Sequence, residues 1–427
     1  MADCLKPTVA VVGGGWAGLA AAVALVDAGH PVAVYEAARQ LGGRARTVTW
    51  KGLAIDNGQH LMAGAYTQTL SLVRRLGQLD GLERHPLKLL APEFRLTLPR
   101  LPAPLHLATG LLGARGLSFT DKLAAARFMR RLEHAGFRLP DDPTVADFLH
   151  REGQAGRLIR HLWEPICVAA LNTPLAEASA QVFCHVLRDS LAGPRAASDM
   201  LFNRADLGRL LPEAAAGYLR RRGGLVHLGR RVTGLRPAES GFHLDGVDDH
   251  AERVIVATHP ARVPALLAAW PEAAARVTPM RAYAWQPIVT LWLRFSAPLA
   301  FPYPMLALGH GTAPWAFERN DVTPGLVAIV ASAHGPHLDL GQEALRDAWL
   351  ALLTARFGTL PPLQDWTAIT EKRATYSCVP GLPRPPNRTP VAHLYLAGDY
   401  TAGDYPATLE GAVRSGVECA RLIQETA

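Results

Sequence analysis

The sequence predicts an α/β fold, a doubly wound parallel sheet carrying an inserted α+β domain. Three observations predict it. The chain opens on a strand, a glycine turn, a helix and a second strand. It closes on another strand that passes through glycine and acid into a helix. Between them lie two long blocks, 86–204 and 263–370, that break this alternation. The sheet domain is therefore expected from segments 1–85, 205–262 and 371–427, and the insertion from 86–204 and 263–370.

The opening unit is Val9–Arg46. Val9–Val12 is a short apolar, β-branched run that reads as a buried strand. Gly13-Gly14-Gly15-Trp16-Ala17-Gly18 then fits G-x-G-x-x-G at the strand-to-helix turn. Gly13 permits the tight turn, Gly15 lets backbone approach a pyrophosphate, and Gly18 allows helix to pack closely on strand. Trp16 and Ala17 stand where free helix N–H groups meet the phosphates. Ala20–Ala28 favours helix, and Gly29 ends it. Pro31–Tyr35 is the second strand. Glu36, followed by Ala37, closes it and suits ribose hydroxyls. Strand, glycines, helix, strand and acid agree in order and spacing, which makes this a Rossmann-like dinucleotide site.

Leu41-Gly42-Gly43-Arg44 comes next. The doublet and arginine resemble the extended fingerprint of the FAD-dependent amine oxidase and phytoene desaturase superfamily. The resemblance implies FAD rather than NAD. A guanidinium also suits a bidentate phosphate contact.

Composition narrows the class. A chain of 427 residues, 49% hydrophobic and 19% charged, is globular and rather greasy. The net charge of +7 comes from scattered residues, and no run resembles a nucleic-acid arm. An anionic membrane surface, or no charged partner, fits better. Cys4, Cys167, Cys184, Cys378 and Cys419 are far apart and lack C-x-x-C spacing, so neither metal nor a disulfide framework is expected. A reducing cytoplasm suits them. No signal peptide precedes the first strand. Of two uncharged windows, Pro7–Val26 is the glycine-broken unit above. The other, Phe295–Phe317, holds Pro298, Pro302, Pro304 and Pro314 and cannot span a membrane as a helix. A soluble or peripheral protein is expected.

Along the chain, Thr47–Trp50 and Leu53–Ile55 read as a hairpin about Lys51-Gly52. Asp56-Asn57-Gly58-Gln59-His60 is good turn chemistry. In the superfamily a D-x-G element here approaches the flavin, which makes Asn57, Gly58, Gln59 and His60 expected cofactor neighbours. Tyr66–Leu76 reads as a helix. Pro86–Leu117 is rich in Leu and Pro, with Lys88, Arg95, Arg100 and Arg115 against Glu93. It reads as a wall of the inserted domain or as an interfacial element that dips into a bilayer. Ser118–Asp121 has capping-box form and starts a helix to His134, and Thr144–Asp147 repeats the signal for a helix through Arg151. His161–Pro174 is apolar yet holds Glu164 between Trp163 and Pro165 and stops at Asn172-Thr173-Pro174.

Leu207–Arg222 reads as one helix, and Arg231–Leu235, Phe242–Leu244 and Val254–Thr258 as strands. The superfamily places Val232 beside the adenine. Ala257-Thr258-His259 stands where it often has a glycine form. Gln286–Phe295 and Gly325–Ala331 read as strands and Ala344–Arg356 as a helix. The aromatic load here, from Trp285 to Phe317, suits core or tunnel. Leu394–Asp399 is a strand ending in an acid. The resemblance puts Gly398 and Asp399 at the ribityl chain. It aims the helix from Thr408, with Glu410, Gly411 and Ala412, at the flavin pyrimidine, where the helix dipole favours negative charge.

Three elements narrow the resemblance: D-N-G-Q-H at Asp56–His60, W-E-P-x-C-x-A-A-L-N-T-P at Trp163–Pro174, and G-D-Y-T-A-G-D-Y-P-A-T-L-E at Gly398–Glu410. They resemble the squalene-associated FAD-dependent desaturase family, the bacterial hydroxysqualene dehydroxylases of hopanoid biosynthesis. The resemblance implies an isoprenoid substrate, hydroxysqualene, reduced to squalene with loss of water. It names no electron donor. Such chemistry needs one acid and a dry, long cavity. The candidate acids are Glu164, His60 and Asp404, and Tyr405 is a candidate flavin-facing aromatic. Two other readings stay open: a flavin oxidase or desaturase acting on an amine or a carotenoid, and a non-enzymatic isoprenoid carrier.

Overall fold

The structure is a computed structural model and describes residues 8–204, 206–309 and 313–426. Cys4, the start of the first expected segment, Ala205 at a segment boundary and part of the Phe295–Phe317 window lie outside the described residues.

The central sheet has five parallel strands, in the order Leu225–Leu228, Val32–Glu36, Val9–Val12, Arg253–Val256, Leu394–Leu396. Its middle strands bury nearly every side chain, as runs of Val, Ala and Ile in a parallel sheet must. One face is covered by the helices Trp16–Asp27 and Leu409–Gln424. Gly416 makes their contact close, since a Cβ there would lie 2.1 Å from the Ala17 carbonyl oxygen. The first helix begins at Trp16, four residues before the expected start, and the chain leaves it through Gly29 at φ +84°.

The second sheet is antiparallel, in the order Met305–Ala307, Trp315–Glu318, Leu326–Ser332, Trp285–Phe295, Leu363–Tyr376. The last of these strands crosses the expected boundary at 370/371. Its burial alternates weakly because it is an edge strand. The Lys51-Gly52 hairpin forms, with both residues at positive φ. Residues 86–117 contain a strand pair, Lys88–Ala91 and Phe94–Thr97, and a helix, Leu105–Gly113. The capping box at Ser118 and Asp121 is present on the helix Phe119–His134.

Two expected elements differ. The helix over Leu207–Arg222 is two, Leu207–Leu210 and Pro212–Arg221. Pro212 lacks an N–H and drives Leu211 out of helical geometry. The strand expected over Arg231–Leu235 starts only at Gly234, where pairing with Asp245 begins. Arg231–Thr233 are left as a loop, tied back near Glu36 by the Arg230 N–H to the Glu36 carbonyl at 2.9 Å.

Candidate active site

A cavity of about 1000 Å³ runs between the two sheets. One end is built by the chain termini. Gly13, Gly15, Trp16, Ala17, Glu36, Ala37, Gly42, Gly43 and Arg44 line it, together with Val232, Ala257, Gly398, Asp399, Thr408 and Ala412. The Asn57–His60 turn forms its next section.

These residues fit a dinucleotide. The helix Trp16–Asp27 has no side-chain cap, so its first N–H groups face the cavity unpartnered by side chains. A Cβ on Gly15 would meet nothing closer than the Gly43 Cα at 4.0 Å, which leaves the approach to those N–H groups open. Glu36 accepts from the Gly14 N–H at 2.8 Å and the Ala38 N–H at 2.7 Å, and so is fixed at the strand end. Arg44 pairs with Asp399 at 2.6 Å, joining the N-terminal and C-terminal segments at the cavity wall. Thr408 caps the helix Leu409–Gln424 through the Gly411 N–H.

Three expected cofactor residues lie off the cavity. Gly18 serves packing alone: a Cβ would sit 2.0 Å from the Gly13 carbonyl oxygen. Gly411 packs against the Pro406 carbonyl in the same way. Glu410 is fully buried and accepts from the Gln68 and Thr69 N–H groups and the Thr69 hydroxyl, while pairing with Arg414 at 2.6 Å. It caps the helix Thr67–Arg75, whose own N-cap, Tyr66, offers no side-chain bond. A buried carboxylate at a helix N-terminus is held by both N–H groups and dipole.

The four residues considered for chemistry are divided by the structure. Tyr405 and His60 line the cavity; Glu164 and Asp404 do not. On the helix Glu164–Leu171, cavity contacts come from Pro165, Val168 and Ala169, followed by Asn172. Glu164 is one residue, about 100°, away from the leading position of that stripe. Burial raises its pKa, with Arg160 partly offsetting this. His60 places Nδ1 2.8 Å from the Gly58 carbonyl oxygen. Burial, then the Arg319 charge, lowers its pKa to about 4, so it is neutral at pH 7. Asp404 is half exposed and pairs with Arg188 at 3.0 Å.

Arg188 leads to a residue that sequence reasoning missed. It also binds Asp189, at 2.6 Å, and Asp189 lines the cavity. The Tyr405 hydroxyl donates to Asp189 at 2.7 Å. Burial pushes the Asp189 carboxyl up, but the bonds from Arg188 and Tyr405 outweigh it and hold the pKa below its usual value. The available signal was spacing. Val186, Asp189 and Ser190 sit at i, i+3 and i+4, and all three line the cavity.

Asn172 ends its helix in the left-handed region, at φ +46°. Its amide donates to the Thr375 hydroxyl at 2.9 Å, and its oxygen accepts from the Ala333 N–H at 2.6 Å. The expected stop thus pins the helix to the antiparallel sheet. Behind the Asn57–His60 turn, buried Arg319 donates to Gln59 at 2.8 Å and lies 3.8 Å from Asp56. Away from the cradle the cavity wall is mainly apolar, with Leu87, Leu89, Ile166, Met305, Trp315 and Phe317, interrupted by Asp189, Ser190, Ser198 and Thr375.

Comparison with known proteins agrees with this geometry. The family described as flavin containing amine oxidoreductase matches residues 16–424. A hydroxysqualene dehydroxylase from Sinorhizobium fredii is 32% identical, over 98% of each chain. Another, from Rhodopseudomonas palustris, is 30% identical over 98% of this chain and 99% of its own. The fold is that of cyclohexylamine oxidase from Brevibacterium oxydans, with a TM-score of 0.69 over 99% of both chains at 21% identity. The chain belongs to the flavin-containing amine oxidoreductases and is an FAD-dependent oxidoreductase.

Proposed function

We propose that this protein reduces hydroxysqualene to squalene with loss of water. The observation that carries the reading is the mainly apolar wall that continues the FAD cradle in one cavity of about 1000 Å³, in a chain similar end to end to hydroxysqualene dehydroxylases. FAD, when bound and reduced, supplies a hydride. The chain supplies the rest. Leu87, Leu89, Ile166, Met305 and Phe317 hold an apolar chain and keep water from a developing allylic cation. Tyr405 and Asp189 form a hydrogen-bonded polar pair on this wall and receive the substrate hydroxyl. The Tyr405 hydroxyl gives its proton to the departing oxygen, which leaves as water; the tyrosinate is reprotonated from solvent, and the ionised Asp189 carboxylate faces the cation. Asp404 acts through Arg188 as a positioning group at the solvent end.

The test is a single turnover. Photoreduced holoenzyme is mixed anaerobically with hydroxysqualene, and squalene and oxidised flavin are measured. Squalene forming in step with flavin oxidation supports the reading, and unchanged alcohol overturns it. Asp189→Asn should slow the step about 100-fold, the scale of losing one charged group aimed at charge that develops in the transition state. Glu164→Gln should leave it within about threefold, since Glu164 does not reach the cavity.

A further inference from the structure

Among the described residues nine large hydrophobic side chains are exposed, and five of them, Leu101, Leu105, Leu112, Phe119 and Leu123, fall within 23 consecutive positions. Phe119 is 72% exposed, Leu112 62% and Leu105 54%. The helix Leu105–Gly113 has its amphipathy reversed. His106 and Gly110 are turned inward, and the outward stripe is Leu105, Ala108, Thr109 and Leu112. A water-facing helix stripe is normally charged or polar. The next helix continues the surface: Phe119, Leu123, Arg127 and Arg130 lie on one outward stripe, apolar first and then basic. Lys122 ties the two helices by donating to the Leu112 carbonyl at 2.7 Å.

Charge is concentrated on the same surface. Residues 95–130 hold six basic side chains, Arg95, Arg100, Arg115, Lys122, Arg127 and Arg130, against one acid, Asp121. That is five of the chain's net seven positive charges. All five arginines are exposed, and none forms an ion pair with another described residue. The surface lies one layer from the cavity. Gly110 packs on Leu98, and the Leu98 N–H bonds the carbonyl of Leu87, a cavity residue.

We infer that the surface formed by Leu101–Leu123 docks on an anionic phospholipid bilayer, with Leu105, Leu112 and Phe119 in the acyl boundary and the arginines on lipid phosphates. Protruding apolar side chains accompanied by exposed arginines fit an interface of apolar tails under anionic headgroups. A second copy of this chain would bring five exposed arginines against five more. The docking is independent of the reaction proposed above, although it would bring the cavity to where apolar molecules dissolve.

The experiment is co-sedimentation of holoenzyme with vesicles of phosphatidylcholine alone or with about one-third phosphatidylglycerol. Binding should be strong to the anionic vesicles, weaker to the neutral ones and reduced by salt. Leu105→Glu/Leu112→Glu/Phe119→Glu should lose at least about a hundredfold in binding at unchanged FAD content and melting temperature. Arg100→Gln/Arg115→Gln/Arg127→Gln, which leaves the apolar face intact, should lose the preference for anionic lipid. Absence of binding by the unaltered protein, full binding by either triple variant, or a dimer in gel filtration that the glutamates dissociate would overturn the inference. Turnover of detergent-dispersed hydroxysqualene separates the two proposals. The glutamate variant should match the unaltered protein there, and inactivity of both would count against the reaction rather than the surface.

Discussion

The glycines of the first turn make a test in which cofactor binding and fold stability separate. Gly15 has ordinary extended backbone, with φ −78° and ψ −179°, and an added Cβ would meet only the Gly43 Cα at 4.0 Å. In the apo protein Gly15→Ala therefore creates no collision. Alanine is the poorer residue at a helix N-cap, by about 0.5–1 kcal/mol. It also restricts the unfolded chain, which returns about 0.4–1 kcal/mol. The two nearly cancel, and apo stability should change by less than about 0.5 kcal/mol. The new methyl, however, occupies the space through which phosphate reaches the helix N–H groups. Losing one charge-assisted hydrogen bond there costs about 1.5–3 kcal/mol, or about 10- to 100-fold in the Kd for FAD. Gly18→Ala should do the reverse. Its Cβ would lie 2.0 Å from the Gly13 oxygen and 3.1 Å from the Val11 side chain, so the apo fold itself should lose at least about 3 kcal/mol. Urea unfolding of apo protein and fluorescence titration with FAD measure the two quantities. If Gly15→Ala binds FAD within twofold of the unaltered protein, or destabilises the apo chain as much as Gly18→Ala, the placement of the phosphates is wrong.

Other expected outcomes follow from the same geometry. Glu410→Ala should cost about 3–5 kcal/mol in urea unfolding, because Arg414 and a helix N-terminus lose a buried anion, while Glu410→Gln should leave the Kd for FAD within about threefold. Asn172→Ala should cost about 3 kcal/mol, from two lost hydrogen bonds and a left-handed backbone, and Asn172→Gly should recover about 1 kcal/mol of that. His60 and His259 both have folded pKa values lowered to about 4, chiefly by burial. A lowered pKa stabilises the fold above the unfolded value near 6.5, and that stabilisation is lost as pH falls towards 4. Apo protein should lose stability over this window, and His60→Gln should remove up to about 3 kcal/mol of the loss.

The parts of this molecule legible in its sequence are those whose chemistry is local. The first turn, the hairpin at Lys51-Gly52 and the capping box at Ser118 each need particular residue types within a few positions, and each forms as read. The rest depends on phase and on distant partners. Glu164 looked like a cavity acid because it interrupts an apolar run, but one step along a helix turns a side chain by about 100°. Asp189 carried the matching phase, but the bond that ties it to Tyr405 joins residues 216 positions apart, which no local pattern shows. Glu410 lies at the helix N-terminus that faces the cavity, yet its carboxylate turns to a neighbouring helix 341 residues away in the chain. The strand Leu363–Tyr376 contains Glu371, Lys372 and Arg373 and lacks clean alternation because only one edge is paired.

The cradle and the wall have separate origins, and this bears on where selectivity resides. The Arg44–Asp399 pair joins the N-terminal and C-terminal segments in the cradle, which Gly13, Gly15 and Glu36 complete. These groups suit a dinucleotide and give no reason for one substrate over another. The wall comes from the strand pair at 88–97, the helix Glu164–Leu171, the turn Arg188–Ala192 and the antiparallel sheet. Asn172 ties the helix to that sheet through two hydrogen bonds. Side chains on such a wall can be exchanged singly while the cofactor stays where it is. A fold shared with cyclohexylamine oxidase at 21% identity is what that separation permits. In this chain that wall carries polar groups among its apolar ones, and two of them, Tyr405 and Asp189, are joined by a hydrogen bond and held from outside by Arg188.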